Sequence, residues 1–458
     1  MEGEPEAVRC PNCERLEREV VELKQRVGKL EALLDAARRS GKRQAAPFRK
    51  PKKQADPQKP GRKPGDQYGE YHCRTAPEAI DETYQVPLPA CCPHCESSQL
   101  EATATVGQFQ TEIPQKPIVR RFDIAVGRCR DCGRRVQGRH ELQTSDAVGS
   151  AANQLGPQAH AAIAWLNKCL GLSHGKVKEL FARLWGLKIG RATSCRSMLR
   201  TAGKCSMAYE QVREQVRGSP EVTADETGWR LAGENGWLHV FAALQATCYA
   251  IDESRGHGPL AKLLGWDWSG VLVHDGWRVY DAFTSATHQQ CLAHLLRRCD
   301  ALLETATRGA VTFPRAIKKL LQQALAVRDR FRLGEITEHG LAIVRGKCEA
   351  ALRRLARPIK SHANNERLAR FLSEHADSIF TFLRIPSIAA TNWRAEQAIR
   401  PAVVNRKVWG GNRTTTGAQA QATLMSVIQT LFQQHRNPLD WLLQARTSLT
   451  PLSIHGGR

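Results

Sequence analysis

Two aspartates lie in or next to apolar, strand-like segments, where burying an unpaired carboxylate is energetically unfavourable. Asp225 lies within the strand-like segment EVTADETGWRL, and Asp275 closely follows the apolar residues 271–273. A buried carboxylate is unfavourable unless it is paired or bound to a metal. If the fold brings the two together they repel each other, and a hard divalent cation such as Mg²⁺ relieves that repulsion. Either aspartate alone could cap a turn, but the pair at strand ends predicts a metal-dependent site.

A third carboxylate is available in the segment TNWRAEQAIRP. Its spacing places Asn392, Glu396 and Arg400 on one face of a helix. Pro401 is expected to end that helix, because proline lacks the amide hydrogen that a helix interior uses. Taken alone, Glu396 is more typical of a solvated helix carboxylate than of a metal ligand. The stretch RKVWGGNRTTTG is expected to form a loop that contacts DNA, and the candidate contacts here are Arg400, Arg406, Lys407 and Arg413.

Two Cys-x-x-Cys turns indicate a structural zinc site. Cys92 and Cys95 form the first turn, and Cys129 and Cys132, followed by Gly133, form the second. Two thiolate pairs make the tetrahedral sulfur cage that Zn²⁺ prefers. The segments ATATVGQFQTEI and VRRFDIAV between them alternate as strands do, which predicts a ribbon. Buried free thiols are the alternative.

The N-terminal region predicts self-association. Valine and leucine alternate at heptad spacing, which favours a parallel two-stranded coiled coil. The heptad positions are Leu16, Val20, Leu23, Val27, Leu30 and Leu34. The alternative is an amphipathic helix packed on its own chain. A further pair, Cys10 and Cys13, lies in register with the heptads, so two copies could share a zinc ion, although a lone pair more often binds nothing.

Two further segments connect this region to the aspartates. Residues 41–70 are basic and proline-rich, which predicts a solvated linker, and its charges, including Arg62 and Lys63, suit contact with DNA phosphates. Residues 146–215 favour helices, with Ser173 as a cap and Gly186 as an end. A helix, a turn and a basic helix resemble a helix-turn-helix, with a plain helical packing domain as the alternative.

After Pro220 the pattern becomes mixed α/β. EVTADETGWRL, GWLHVFAAL and ATCYAIDES predict three consecutive strands, GPLAKLLG a helix, GVLVHDGW a fourth strand, and residues 290–305 another helix. This order is typical of a ribonuclease-H-like sheet. The first and fourth strands are neighbours in such a sheet, so Asp225 and Asp275 should meet.

Composition narrows the class of partner. Lysine and arginine number 67 against 45 aspartates and glutamates, a formal net charge of +22, which favours a polyanion such as DNA. The chain is 41% hydrophobic, which excludes global disorder. No apolar run approaches the roughly 18 residues of a membrane span, and the polar N-terminus is unlike a secretory signal. Paired cysteines suit metal binding in a reducing compartment, so a cytoplasmic, nucleoid-associated location is expected.

Several motifs together resemble the transposases of the insertion sequence sixty-six family. They are DETGWR, HDGW with Tyr280, QQCLAHLLR and TNWRAEQAIRPAVVNRK, and the likeness extends over nearly the whole chain, from the N-terminal coil and GRKPGD to NPLDWL. The resemblance implies that Asp225, Asp275 and Glu396 form an Asp-Asp-Glu triad, with a helical insertion before the glutamate. It also implies that companion proteins could take part in transposition.

Two details of the resemblance concern single positions. The family usually shows Glu-Arg where this chain has Glu396-Gln397, which affects a neighbouring DNA contact and not the carboxylate. The family has a cysteine and a histidine three apart after the second aspartate, matched here by Cys291 and His294. Helix packing is the simplest interpretation of that pair.

The expected organisation is multidomain. A Cys-x-x-Cys turn and coiled coil (1–40), the basic linker (41–70), a zinc-binding ribbon (71–145) and the helical segment (146–215) precede a ribonuclease-H-like catalytic domain (216–300 and 385–450) with a helical insertion (301–384).

The expected function is a DNA transposase. It would cleave element ends and join their 3′ hydroxyls to target DNA with two Mg²⁺ ions, acting as a homodimer or higher complex. Asp225 would contact both ions, and Asp275 and Glu396 one each. The alternatives are an inactive, zinc-containing DNA-binding regulator and a structure-specific nuclease on the same fold.

Overall fold

A computed structural model describes residues 117–143, 154–357, 359–448 and 450–454, with 145, 147 and isolated positions between 19 and 99. The described positions between 19 and 30 are helical. Their apolar side chains Val20, Leu23, Val27 and Leu30 are exposed, and the dimeric coiled coil stays a prediction. Several predicted functional residues lie outside the described residues: Cys10, Cys13, Arg62, Lys63, Cys92 and Cys95.

A short hairpin precedes the helical part of the chain. Its strands are β1, Val126–Arg128, and β2, Arg135–Gln137, and they pair antiparallel. The strand expected over VRRFDIAV is therefore mostly wrong, since only its last residue, Val126, is in β1. The segment ATATVGQFQTEI lies outside the described residues.

Four helices then lead to the sheet. They are α1, Pro157–Lys168, α2, His174–Trp185, α3, Arg191–Lys204, and α4, Ser206–Arg217. Ser173 caps α2 by accepting the backbone N–H of Lys176, and Gly186 ends it with a φ of 63°. These two boundaries confirm the sequence prediction, while a helix-turn-helix role stays a prediction.

A five-stranded sheet forms the centre of the fold. Its strands are β3, Glu221–Leu231, β4, Glu234–Ala242, β5, Thr247–Asp252, β6, Val271–His274, and β7, Thr287–Gln290, with α5, Gly258–Leu264, between β5 and β6. The order is β5-β4-β3-β6-β7. β4 runs antiparallel to β3 and β5, whereas β6 runs parallel to β3 and β7. The first and fourth strands are neighbours, as expected.

The fifth strand, β7, was not predicted. Its sequence THQQ lacks apolar residues, yet Gln289 and Gln290 are buried. The amide of Gln289 donates to the Ile379 carbonyl and accepts the Phe382 N–H. Backbone pairing with β6 and these hydrogen bonds to distant residues, not an apolar pattern, hold this strand.

A helical segment follows the sheet. Its helices are α6, Leu292–Thr305, α7, Thr312–Arg332, α8, Glu338–Ala356, α9, Ala363–Glu374, α10, Ala376–Ile379, and α11, Thr381–Arg384. They share an apolar core that also takes in Val271 and Val273 of β6. The described residues thus have helices at the positions predicted for the insertion, whose boundaries as a domain stay a prediction.

Three helices complete the chain: α12, Trp393–Trp409, α13, Thr415–Gln433, and α14, Pro438–Thr447. Two expectations are wrong here, since Pro401 lies inside α12 and the residues RKVW form its last turn. Proline removes only the hydrogen bond to the Gln397 carbonyl, and Gln397 is exposed, so water can replace it. α12 ends instead at Gly410, whose φ is 88°.

The two faces of the sheet are covered differently. Val222, Ala224 and Leu272 pack into a core with α1, α3, α4, α13 and α14. Leu238 and Val240 on the opposite face pack against α12. Among the helices that the structure describes, none has the length and apolar character needed to cross a membrane.

Candidate active site

The strand register brings the two aspartates to one level. Thr223 of β3 is the partner of Val273 in β6, and the strands run parallel. Asp225 and Asp275 each lie two residues beyond that pair, so they share a face of the sheet and a height along it. This register is the one that the prediction requires if the two carboxylates are to meet.

A third carboxylate acts on Asp225 from α12. The pKa of Asp225 is raised to about 8, mainly by burial and further by the charges of Glu226, Asp275 and, least, Glu396. The backbone N–H of Glu226 donates to Asp225 Oδ1 at 2.9 Å and opposes that rise. The charges of Asp275 and Glu396 therefore both reach Asp225.

A tight turn holds Asp275. Its Oδ1 accepts the backbone N–H of Trp277 at 3.0 Å. Gly276 between them has a φ of 88°, and a Cβ there would come within 2.6 Å of the Phe371 ring. Only glycine satisfies both conditions, so the HDGW motif fixes the direction of the carboxylate.

Glu396 comes from the first turn of α12 and is already in an ion pair. Its Oε1 lies 2.5 Å from Arg297 Nη2. The same guanidinium donates to His294 Nε2 at 3.1 Å, so the neutral ring carries its hydrogen on Nδ1. Burial and the Arg297 charge lower the pKa of His294, which favours that neutral form.

Cys291 and His294 lie at this site. The ligand atoms of Cys291, His294 and Glu396 are within 4.8 Å of one another, the spacing of a metal site, although Arg297 already contacts both His294 Nε2 and Glu396 Oε1. The backbone N–H of Asn392 donates to Cys291 Sγ at 3.3 Å, so the buried cysteine also fixes the residue at the N-terminus of α12. Neither role is evident from spacing alone.

A second polar cluster beside the site was missed by the sequence reasoning. Glu226 is almost fully buried, and Arg255 pairs with it through Nε and Nη2 at 3.1 and 2.9 Å. The Tyr280 hydroxyl donates to the other oxygen of Glu226 at 2.7 Å. The neighbouring acidic residue in DETGWR is the only sequence signal that marks Glu226.

The predicted DNA contacts in α12 and in the segment after it divide into two groups. Arg400, Lys407 and Arg413 are exposed. Arg406 instead turns towards β3, where it donates to the Gly228 carbonyl and, at 3.3 Å, to Thr227 Oγ1. It therefore helps to hold α12 against the sheet.

The second predicted zinc turn is described. The Gly133 N–H donates to the Cys129 carbonyl at 2.9 Å, and Gly133 has a φ of 66°. Backbone N–H groups of Cys132 and Asp131 lower the pKa of the Cys129 thiol. A turn that stabilises a thiolate in this way suits a metal ligand.

The residues of the carboxylate site suit Mg²⁺. The three carboxylates would supply oxygen ligands, and repulsion between such groups is what a divalent cation relieves. Asn392 Oδ1 is buried and accepts no hydrogen bond from the described residues, although its amide donates to the Ala224 carbonyl at 3.5 Å. It offers a further oxygen beside Asp225.

Comparisons with known proteins identify the family. A family model described as "Transposase IS66 family" matches residues 153–420. An uncharacterized protein, y4qI of Sinorhizobium fredii (strain NBRC 101917 / NGR234), is 24% identical over 295 residues, which are 58% of this chain and 54% of that protein. The chain thus spans about half the length of this curated relative. The matched region contains Asp225, Asp275 and Glu396.

Proposed function

The chain belongs to the IS66 transposase family, and from that premise we propose that it is an Asp-Asp-Glu transposase. In this proposal it cleaves the ends of its element and joins their 3′ hydroxyls to target DNA. The observation that carries the proposal is the β3–β6 register, which puts Asp225 and Asp275 at one level, with Glu396 close enough to affect the pKa of Asp225.

Each carboxylate has a proposed role. Asp225 would contact two Mg²⁺ ions, and Asp275 and Glu396 one each. Bound Mg²⁺ would activate the attacking oxygen and stabilise charge on the leaving oxygen. The protein's own part is to hold the carboxylates: Trp277 N–H and Gly276 orient Asp275, and Cys291 and Asn392 fix the start of the helix that bears Glu396.

The fold and domain assignments extend this proposal. The strand order and the crossover through α5 support a ribonuclease-H-like catalytic domain, formed by residues 216–300 and 385–450. Residues 301–384 would be its helical insertion, and residues 146–215 a helix-turn-helix-like segment. The exposed apolar residues between 19 and 30 support a coiled-coil homodimer, and the net charge of +22 supports DNA as the partner.

A structural zinc ion is proposed for Cys92, Cys95, Cys129 and Cys132. The turn at Cys129 supports it, because its N–H groups favour the thiolate. Elemental analysis of Cys132→Ser should show one zinc fewer per chain, while cleavage by the carboxylate site is retained if the catalytic domain folds separately. Unchanged zinc content would remove this assignment.

The test of the main proposal uses labelled duplexes that carry the element's own ends. With Mg²⁺ or Mn²⁺ the protein should nick the ends and join them to a target duplex, with companion proteins added where needed. Ca²⁺ should support binding with little chemistry, because its coordination is looser. Nicking without joining would favour a structure-specific nuclease. Binding without cleavage under every metal would favour a regulator.

A further inference from the structure

A tryptophan beside the carboxylates presents its ring to solvent. Trp277 is 38% exposed, although large aromatic side chains are usually well buried. Its backbone N–H donates to Asp275 Oδ1 at 3.0 Å, so the ring is tied to the same turn as a proposed metal ligand. The backbone of Trp277 is therefore fixed relative to Asp275.

The inner face of this ring rests on a cation. The Arg255 guanidinium lies 3.9 Å from the centre of the Trp277 ring and 4.5 Å from the centre of the Trp237 ring. Both rings thus share one guanidinium, and we call these three residues the Trp237–Arg255–Trp277 stack. Such cation–aromatic contacts are favourable, and they hold the Trp277 ring against the Arg255 guanidinium.

A nearly buried glutamate fixes the stack from within. Glu226, with a side chain only 3% exposed, binds two nitrogens of Arg255, whose own side chain is 36% exposed. Tyr280 donates to the second oxygen of Glu226. A buried carboxylate is costly unless it is paired, so Glu226 holds the guanidinium in place. The Trp277 ring is thus held in place before any ligand binds.

We propose that Trp277 stacks on an unpaired nucleobase of the nucleotide next to the cleaved phosphate. Every base offers a flat face to such an aromatic ring. The Arg255 cation on one face of the ring draws electron density from it, which favours an electron-rich base on the other face. The same positive charge attracts the phosphate of that nucleotide. Glu226 and Arg255 are positioning residues that act through Trp277. The proposal rests on the proposed function, since it names the part of the DNA that this site holds.

The experiment measures binding in Ca²⁺, where chemistry is suppressed. The duplex carries the element's end with an abasic nucleotide at successive positions around the cleaved bond. At one position the abasic duplex should bind the wild type about tenfold more weakly, which is the scale of one base-aromatic stack. Trp277→Ala should bind the intact duplex more weakly by the same factor. The abasic nucleotide should not reduce the affinity of this variant any further. Trp277→Phe should recover most of the affinity.

Matched controls separate stacking from a structural role. Trp266 is 52% exposed and stacks on Phe283 instead, so Trp266→Ala should leave the abasic effect unchanged. If Trp277→Ala and the abasic nucleotide weaken binding additively at every position, the ring only shields the Arg255 ion pair and the proposal is overturned. Because binding is read without cleavage, failure of the wild type to cleave in Mg²⁺ would count against the proposed function and not against the stack.

Discussion

The aspartates and the glutamate of the site are held in different ways. Asp225 lies on β3 and Asp275 directly follows β6, and the hydrogen-bonded register of these parallel strands sets the level of both. Glu396 lies on a helix, and its carboxylate is bound to the side chain of Arg297. The strands supply a rigid pair, whereas in our proposal the glutamate would exchange an arginine for a metal ion. We infer that the aspartates define the site and that the glutamate completes it.

The largest expected effect comes from the rigid pair. Asp225→Asn should lower cleavage by about a thousandfold or more, because it removes the ligand proposed for both ions and metal stabilisation is worth several kcal/mol. Affinity for the element's ends should persist, since it depends on lysines and arginines. Gel-shift and cleavage assays measure the two separately. Asp267→Asn, an exposed aspartate, is the control, and wild-type cleavage by Asp225→Asn would show that the triad is misassigned.

A smaller loss is expected at the helix-borne carboxylate. Glu396→Gln removes one ligand of one ion, so cleavage should fall by about a hundredfold. Single-turnover cleavage at rising Mn²⁺ should recover part of that loss, whereas Asp225→Asn should recover none. Equal and complete losses in the two variants would remove the distinction between a rigid pair and a completing glutamate.

Arg297→Ala tests whether Arg297 and a metal ion compete for the Glu396 carboxylate. Removing the cation frees Glu396, so Mn²⁺ should bind the DNA-free protein several-fold more tightly, by about 1 kcal/mol, the scale of a partly exposed ion pair. Isothermal titration measures this directly. Arg298→Ala is the matched control, because Arg298 lies over the Phe371 ring. Unchanged Mn²⁺ affinity in Arg297→Ala would mean that the ion pair does not compete with the metal.

A separate expectation concerns the pH dependence of stability. The folded-state pKa of Asp225 is raised to about 8 from 3.8, so between these values the fold holds a proton that the unfolded chain has lost. Stability of the Mg²⁺-free protein should therefore fall as pH rises from 4 to 8, and this slope should be reduced in Asp225→Asn. Thermal unfolding at several pH values measures both slopes. Equal slopes in the wild type and in Asp225→Asn would mean that a group other than Asp225 causes the pH dependence.

The sequence predicted the rigid part of the site better than the movable part. Strand alternation was enough to place Asp225 and Asp275 on neighbouring strands, because backbone pairing is regular. Glu396 was assigned by family resemblance alone, since a helix carboxylate has no local pattern that marks a metal ligand.

Contacts between distant side chains could not be predicted. Arg297 reaches Glu396, and Arg255 reaches Glu226, across stretches of chain whose path depends on tertiary packing. Pro401 was misread for the same kind of reason: its cost in a helix depends on whether the freed carbonyl of Gln397 meets water or protein.

The helix α13 has a consequence for the timing of synthesis. It covers the edge strand β5, where the Tyr249 N–H donates to Ser426 and the Thr247 N–H to Thr430. At about 5–20 residues per second on the ribosome, α13 appears roughly ten seconds or more after β5. The helices with their own core can fold in that interval, while this face of the sheet waits for its cover. A chain whose translation stops before residue 415 therefore leaves the ribosome with an open sheet, a target for chaperones and proteases.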